Sequence, residues 1–171
     1  MKPINILVLS FGMFASAAAM ATPSPTQFTL KDPSGKSVGN VTMTQLEKGV
    51  KVVLDVQGLP AGEHAIHFHE KGMCQGPGFD SAGEHFAPRK SKHGFDVAGG
   101  PHAGDMPNLW VSSDGTAHFE TINTQVSLGK GSNSLLKEKG TTIIVHSQAD
   151  DHRSQPSGEA GGRIACAEIK R

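Results

Sequence analysis

Neither sign of charge is in excess in this chain of 171 residues: 16 Lys and Arg stand against 16 Asp and Glu. Without a basic surplus or a run of like charge there is no electrostatic footprint for nucleic acid and no charged tail. Helical periodicity is scarce, tyrosine is absent, and there are only two cysteines, Cys74 and Cys166. Two cysteines exclude a disulfide-dense scaffold and allow one bridge at most. The longest apolar run, residues 4–19, is short for a membrane span. Lys2 precedes it and the small-x-small triplet Ala19-Met20-Ala21 follows it, so residues 1–21 read as a secretory signal peptide. No cysteine sits at the cleavage point, which argues against lipid attachment there. Cleavage removes Lys2 and leaves 15 basic against 16 acidic residues in one domain, residues 22–171, with no membrane contact expected. The short n-region with a single lysine favours the periplasm over the extracellular space. In such an oxidising compartment Cys74 and Cys166 are expected to pair.

What is abundant is glycine, at 21 residues, with 10 prolines. Residues 27–31 and 38–46 carry strand-forming types around a Pro33-Ser34-Gly35 turn. Val50, Val52, Leu54 and Val56 alternate with Lys51, Asp55 and Gln57, the pattern of a half-buried strand that ends in the 58–62 turn. Further strands are expected at 66–69, 109–111, 116–121, 141–145 and 163–169. Two long segments, 70–105 and 147–162, show no periodicity. About eight short strands with two long functional loops predict an all-β fold, an antiparallel Greek-key β-sandwich or barrel.

The chemistry lies in histidine spacing. His67-x-His69, His85, His93, His102, Asp105 and His146 offer seven ligand groups. Neutral imidazole is the commonest biological metal ligand and Asp is a common hard partner for zinc. Seven groups are too many for one tetrahedral ion and suit two ions that share a ligand. In a strand, residues i and i+2 point the same way, so Ile66 and Phe68 can fill a core while His67 and His69 face one point on the other side. His64, His118 and His152 fit no ligand position and read as surface or structural residues, His152 lying in the second loop.

Joint order and spacing carry a resemblance. The motifs are His67-Phe68-His69-Glu70, Ala82-Gly83-Glu84-His85-Phe86-Ala87-Pro88, His93-Gly94, Gly100-Pro101-His102-Ala103-Gly104-Asp105, Val145-His146 and Gly161-Gly162-Arg163-Ile164-Ala165-Cys166. Together they resemble the copper/zinc superoxide dismutase family, in its exported bacterial form. The resemblance implies one copper ion held by His67, His69, His85 and His146. It implies one zinc ion held by His85, His93, His102 and Asp105, with His85 bridging. Four imidazoles suit tetragonal copper, and three with a carboxylate suit tetrahedral zinc. It further implies that Asp150 links His67 to His93 and that Arg163, held by the Cys74 carbonyl, attracts the superoxide anion. The implied reaction converts superoxide to dioxygen and hydrogen peroxide, with His85 handling one proton.

Glu84 stands where the family usually has a small residue or proline, and Glu159 adds negative charge to a second loop in which Arg153 is the firm positive charge. Both leave the degree of anion guidance open. A rival reading is an exported copper- or zinc-binding protein of the same fold without turnover. Another is an interaction module: Trp110, the single tryptophan, should point outward by alternation with Leu109 and Val111, and marks a possible homodimer contact.

Overall fold

The computed structural model describes residues 24–171, so the expected signal segment lies outside the described residues. Among the described residues nine strands are present: β1 (Thr26–Lys31), β2 (Ser37–Gln45), β3 (Val50–Val56), β4 (Gly62–His64), β5 (Ile66–His69), β6 (Leu109–Val111), β7 (Ala117–Asn123), β8 (Thr141–His146) and β9 (Arg163–Ile169). Among the described residues the one helical element is a single 3₁₀ turn, Asp80–Ala82. All pairings between strands are antiparallel. Seven strands run in the order β5-β8-β9-β1-β2-β3-β7, and β4 pairs with β6. Neighbours distant in sequence, such as β9 with β1 and β3 with β7, are the crossed connections of a Greek key.

One strand more than expected appears because the chain from Gly62 to His69 serves two sheets. Its first part bonds β6, matching Glu63 to Trp110; its second bonds β8, matching His67 to Ile144. Between them Ala65 donates its N–H to Gln148 and accepts one from His146. That switch curls the sheets around a shared core. On β3 the expected alternation is present: Val50, Val52, Leu54 and Val56 are buried, while Asp55 is exposed. They meet Val41 and Met43 of β2, Ile66 and Phe68 of β5, and Ile143 and Val145 of β8. Each such side chain contributes about 1.5–3 kcal/mol on burial.

Residues 70–108 and 147–162 hold no strand. A third irregular stretch, 124–140, was not singled out by the sequence pattern; its Val126 and Leu135 plug the core. Cys74 and Cys166 are joined in a disulfide that ties the first loop to β9. The sequence separation is 92, and closing a loop of that size restricts the unfolded chain by roughly 4–5 kcal/mol in the chain-entropy model. A small second cluster of Phe79, Ala82, Ile144 and Cys166, with Cys74 against it, packs beside the bridge.

Candidate metal centre

Strands supply three of the clustered imidazoles. His67 and His69 leave β5 on the face opposite Ile66 and Phe68, and His146 ends the neighbouring β8. The loops fold over this face, so all three rings are buried, with residue exposures of 0%, 1% and 3%. Loop residue His85 completes the group: donor atoms of His67, His69, His85 and His146 lie within 4.8 Å of one another.

Each ring uses one nitrogen to fix its orientation. His67 donates from Nε2 to Asp150 Oδ2 at 2.7 Å, and His69 from Nδ1 to the Gly83 carbonyl at 2.9 Å. His146 Nδ1 faces the Gly161 carbonyl at 3.5 Å. The other nitrogens, His67 Nδ1, His69 Nε2, His85 Nε2 and His146 Nε2, are buried without a hydrogen-bond partner. Buried polar atoms are nearly always satisfied, and lone pairs that converge on one point are what a cation would satisfy.

A second set of donors gathers on Asp105. His85 Nδ1 lies 3.0 Å and His102 Nδ1 3.3 Å from Oδ1, and His93 Nδ1 lies 3.2 Å from Oδ2. His85 Nδ1 and His102 Nδ1 are 3.3 Å apart. Tetrahedral zinc with bonds of about 2.0–2.1 Å sets its donor atoms roughly 3.3 Å apart, the spacing found among His85 Nδ1, His102 Nδ1 and Asp105 Oδ1. By mutual distance the second group of donors within 4.8 Å of one another is His67, His85, His93 and Asp105, with His67 where His102 was expected; His102 joins through its contacts with Asp105 and His85. His85 belongs to both sets, offering Nε2 to one and Nδ1 to the other.

Charge separates the two sets. Burial depresses His67 to about 4 and His146 to about 3, and it lowers His69 and His85 as well. These rings are neutral at pH 7, the form that binds metal. His93 goes the other way: burial opposes its charge, but hydrogen bonds to Asp105 and Asp150 outweigh burial and raise it to about 9. Asp105 and Asp150 are held well below the usual carboxylate range, since hydrogen bonds from the histidines overcome the cost of burying them.

Asp150 bridges the sets by taking His67 Nε2–H on Oδ2 and His93 Nε2–H on Oδ1, the latter at 2.9 Å. Gly158 packs so close that a Cβ there would meet Asp150 Oδ1 at 1.8 Å, and its φ of +67° also favours glycine. Arg163 starts β9 and is half-buried. Nη1 donates to the Phe79 carbonyl at 2.7 Å and Nη2 to the Gly83 carbonyl at 2.8 Å. This corrects the expected anchor: Cys74 does not hold Arg163. Four residues separate Cys74 from Phe79, and it is Phe79, in the left-handed region at φ 55°, whose carbonyl faces Arg163. The Arg163 charge still reaches the site, where it disfavours protons on His69 and His146. Arg153 points away, 3.6 Å from Asp96.

Three contributors carried no sequence signal. Asn108 donates to the Asp150 carbonyl and accepts the Asp150 N–H, both at 2.9 Å. His64 is buried, with Nδ1 2.8 Å from the His146 carbonyl and Nε2 2.8 Å from that of Pro60. It is structural, as one of its two readings had it. Phe79 acts through its backbone, which no side-chain pattern announces. His118 lies on the surface against Asp55.

The family profile described as copper/zinc superoxide dismutase (SODC) matches residues 37–169. The chain belongs to the copper/zinc superoxide dismutase family. It is 39% identical to superoxide dismutase (Cu-Zn) 2 of Aquifex aeolicus over 165 residues, covering 95% of this chain and 96% of that one. A Caulobacter vibrioides superoxide dismutase (Cu-Zn) is 42% identical over 144 residues, 82% of this chain and 83% of the relative. Among solved structures, a double mutant of a SOD-like protein from Bacillus subtilis, with a tyrosine and a proline each replaced by histidine, superposes with a TM-score of 0.82 at 37% identity. That match covers 85% of this chain and 97% of the other. Membership of this family accounts for the antiparallel Greek-key sheet.

Proposed function

We propose that the protein is an exported, periplasmic superoxide dismutase. It converts two superoxide anions and two protons to dioxygen and hydrogen peroxide. One copper would be held by His67, His69, His85 and His146, whose unpartnered nitrogens converge. One zinc would be held by His85, His93, His102 and Asp105. The observation that carries this reading is His85, which turns one ring nitrogen into each donor set. When bound, copper supplies one-electron exchange in both directions and zinc supplies fixed charge.

The chain's own residues do the rest. Arg163 presents a permanent cation held by two carbonyls, and a fixed fork of donors suits a small anion. Gly83 accepts from both Arg163 and His69, so anion site and ligand share one rigid peptide. His85 holds or releases a proton at Nε2, and its Nδ1 stays with the Asp105 set. Asp150 keeps His67 and His93 in the tautomers that expose Nδ1.

Superoxide removal by the purified, metal-loaded protein, with metal analysis, tests this. Turnover with one copper and one zinc per chain is expected. Bound metal without turnover returns the non-enzymatic reading, which the SOD-like name of the Bacillus subtilis relative keeps in view. A second copy of the chain is the proposed partner at Trp110, which is 68% exposed. Trp110→Glu should turn a dimer into monomers by gel filtration, and a wild-type monomer at high concentration removes the idea.

A further inference from the structure

We propose that Gln155 is a positioning residue for His93, and thereby sets zinc retention, through a two-point hydrogen bond from its side-chain amide to the His93 peptide. This rests on the zinc assignment above. The His93 N–H donates to Gln155 Oε1 at 3.0 Å, and Gln155 Nε2 donates to the His93 carbonyl at 2.9 Å. The same Nε2 donates to the Arg153 carbonyl at 3.0 Å, which fixes which end of the amide faces which group.

His93 needs such a partner. It lies in a stretch without strand or helix, so no ladder satisfies its N–H and carbonyl. Gln155, from the other loop, acts as a one-residue strand beside it. Two parallel bonds fix both the place and the tilt of a peptide, and so the direction in which its side chain leaves. The ring is then held separately: Asp150 takes Nε2–H, and Nδ1 is aimed at Asp105. The molecule uses the device twice, since Asn108 grips the Asp150 peptide in the same two-point way. A ligand and the carboxylate that orients it are therefore each fixed at the backbone by an amide side chain.

Gln155 is exposed and outside the apolar core, so removing it should cost the metal-free fold little. The loops also stay joined where Asp96 N–H donates to the His152 carbonyl at 3.1 Å. The role is specific to aiming a ligand. Gln155→Ala should lower zinc affinity about tenfold, at the low end for groups that orient metal ligands. Gln155→Glu should lose at least as much, because a carboxylate accepts from His93 N–H but cannot donate to its carbonyl.

Competition for zinc against a chromophoric chelator measures this. The visible absorption of cobalt(II) placed in the zinc set reports ligand geometry, and thermal unfolding of the metal-free protein reports the fold. Expected are weaker zinc retention, an altered cobalt spectrum and an unchanged metal-free midpoint in both variants. Wild-type zinc affinity and cobalt spectrum in Gln155→Ala overturn the proposal alone. So does a fall in the metal-free midpoint equal to that of the metal-loaded protein, which marks a structural role only. A wild-type chain that binds neither ion through His93 overturns the zinc assignment and this proposal with it.

Discussion

On the side assigned to copper, three of four imidazoles grow from strands. On the side assigned to zinc, no ligand does. His67, His69 and His146 are placed by the β5–β8 register, so the sheet that buries Ile66 and Phe68 also aims them. His85, His93, His102 and Asp105 come from loop residues, with Asp105 receiving three rings and Gln155 fixing the His93 peptide. The first set is placed by the strand register and the second by contacts between loops. The copper side should therefore tolerate loss of its neighbour better than the zinc side does. Their one shared member is His85.

His85→Ala breaks both sides at once and should have the largest effect. Zinc loses a loop ligand and should not be retained, whereas copper keeps its three strand ligands and should bind weakly. Loss of a group positioned for proton transfer typically costs ~100-fold or more in rate. Metal analysis and stopped-flow superoxide decay check this. An alanine variant with both metals at full occupancy and wild-type rates would remove His85 as the bridge.

Arg163→Glu tests the copper side alone. Fields that steer a small charged ligand change encounter rates by ~10–1000-fold and weaken as salt rises. The variant should be slower at low ionic strength, with copper and zinc content unchanged. Added salt should slow the wild type and should slow the variant less or speed it. Arg163→Lys should fall between, keeping charge without the planar fork. Equal low-salt rates at matched metal content would show that Arg163 does not guide the substrate.

The same division explains what could be read from sequence. Alternation in Val50–Val56 and in Ile66–His69 reports side-chain direction, so the core strands and the common aim of His67 and His69 were legible. The loop ligands were legible as spaced residue types, through resemblance, without any local geometry. What escaped was carried by backbone groups. The Phe79 carbonyl replaces the expected Cys74 carbonyl because of how the residues between them turn, which residue type does not encode. The same holds for Gly62–His64: bonding to β6 depends on a sheet switch at Ala65, and Gly62-Glu63-His64 holds none of the residue types that favour strands. Asn108 and Gln155 are ordinary loop amides until folding puts a peptide opposite them.

Asp150→Asn sharpens the comparison because Asp150 touches one ligand from each side. Asn keeps the volume and one acceptor oxygen, so only one of His67 and His93 can still donate to it. His67 remains fixed by β5, whereas His93 loses the group that orients its ring. Zinc retention should fall ~10–100-fold and copper retention less. Chelator competition run separately for each metal decides, and equal losses on both sides would contradict the distinction between strand-set and loop-set ligands.

The smallest expected effect appears in the metal-free protein, where protons report the same asymmetry. His67 and His146 are depressed to about 4 and 3, below the ordinary value near 6.5. Between those values and ~6.5 the unfolded chain binds protons that the folded chain refuses. Their contribution is therefore complete above ~6.5 and is lost as pH falls toward 4. His93, raised to about 9 by its carboxylates, has the opposite sign. Its contribution is complete below ~6.5 and is lost as pH rises through 9. Stability of the metal-free chain should therefore peak near pH 6.5, with an acid limb set by the copper side and an alkaline limb by the zinc side. The alkaline limb should be the shallower, since one raised histidine drives it against four lowered ones. Thermal midpoints from pH 5 to 9.5 measure both, and His93→Gln should flatten the alkaline limb while leaving the acid one. A wild-type midpoint still rising through pH 9 would mean that the two carboxylates do not hold a proton on His93.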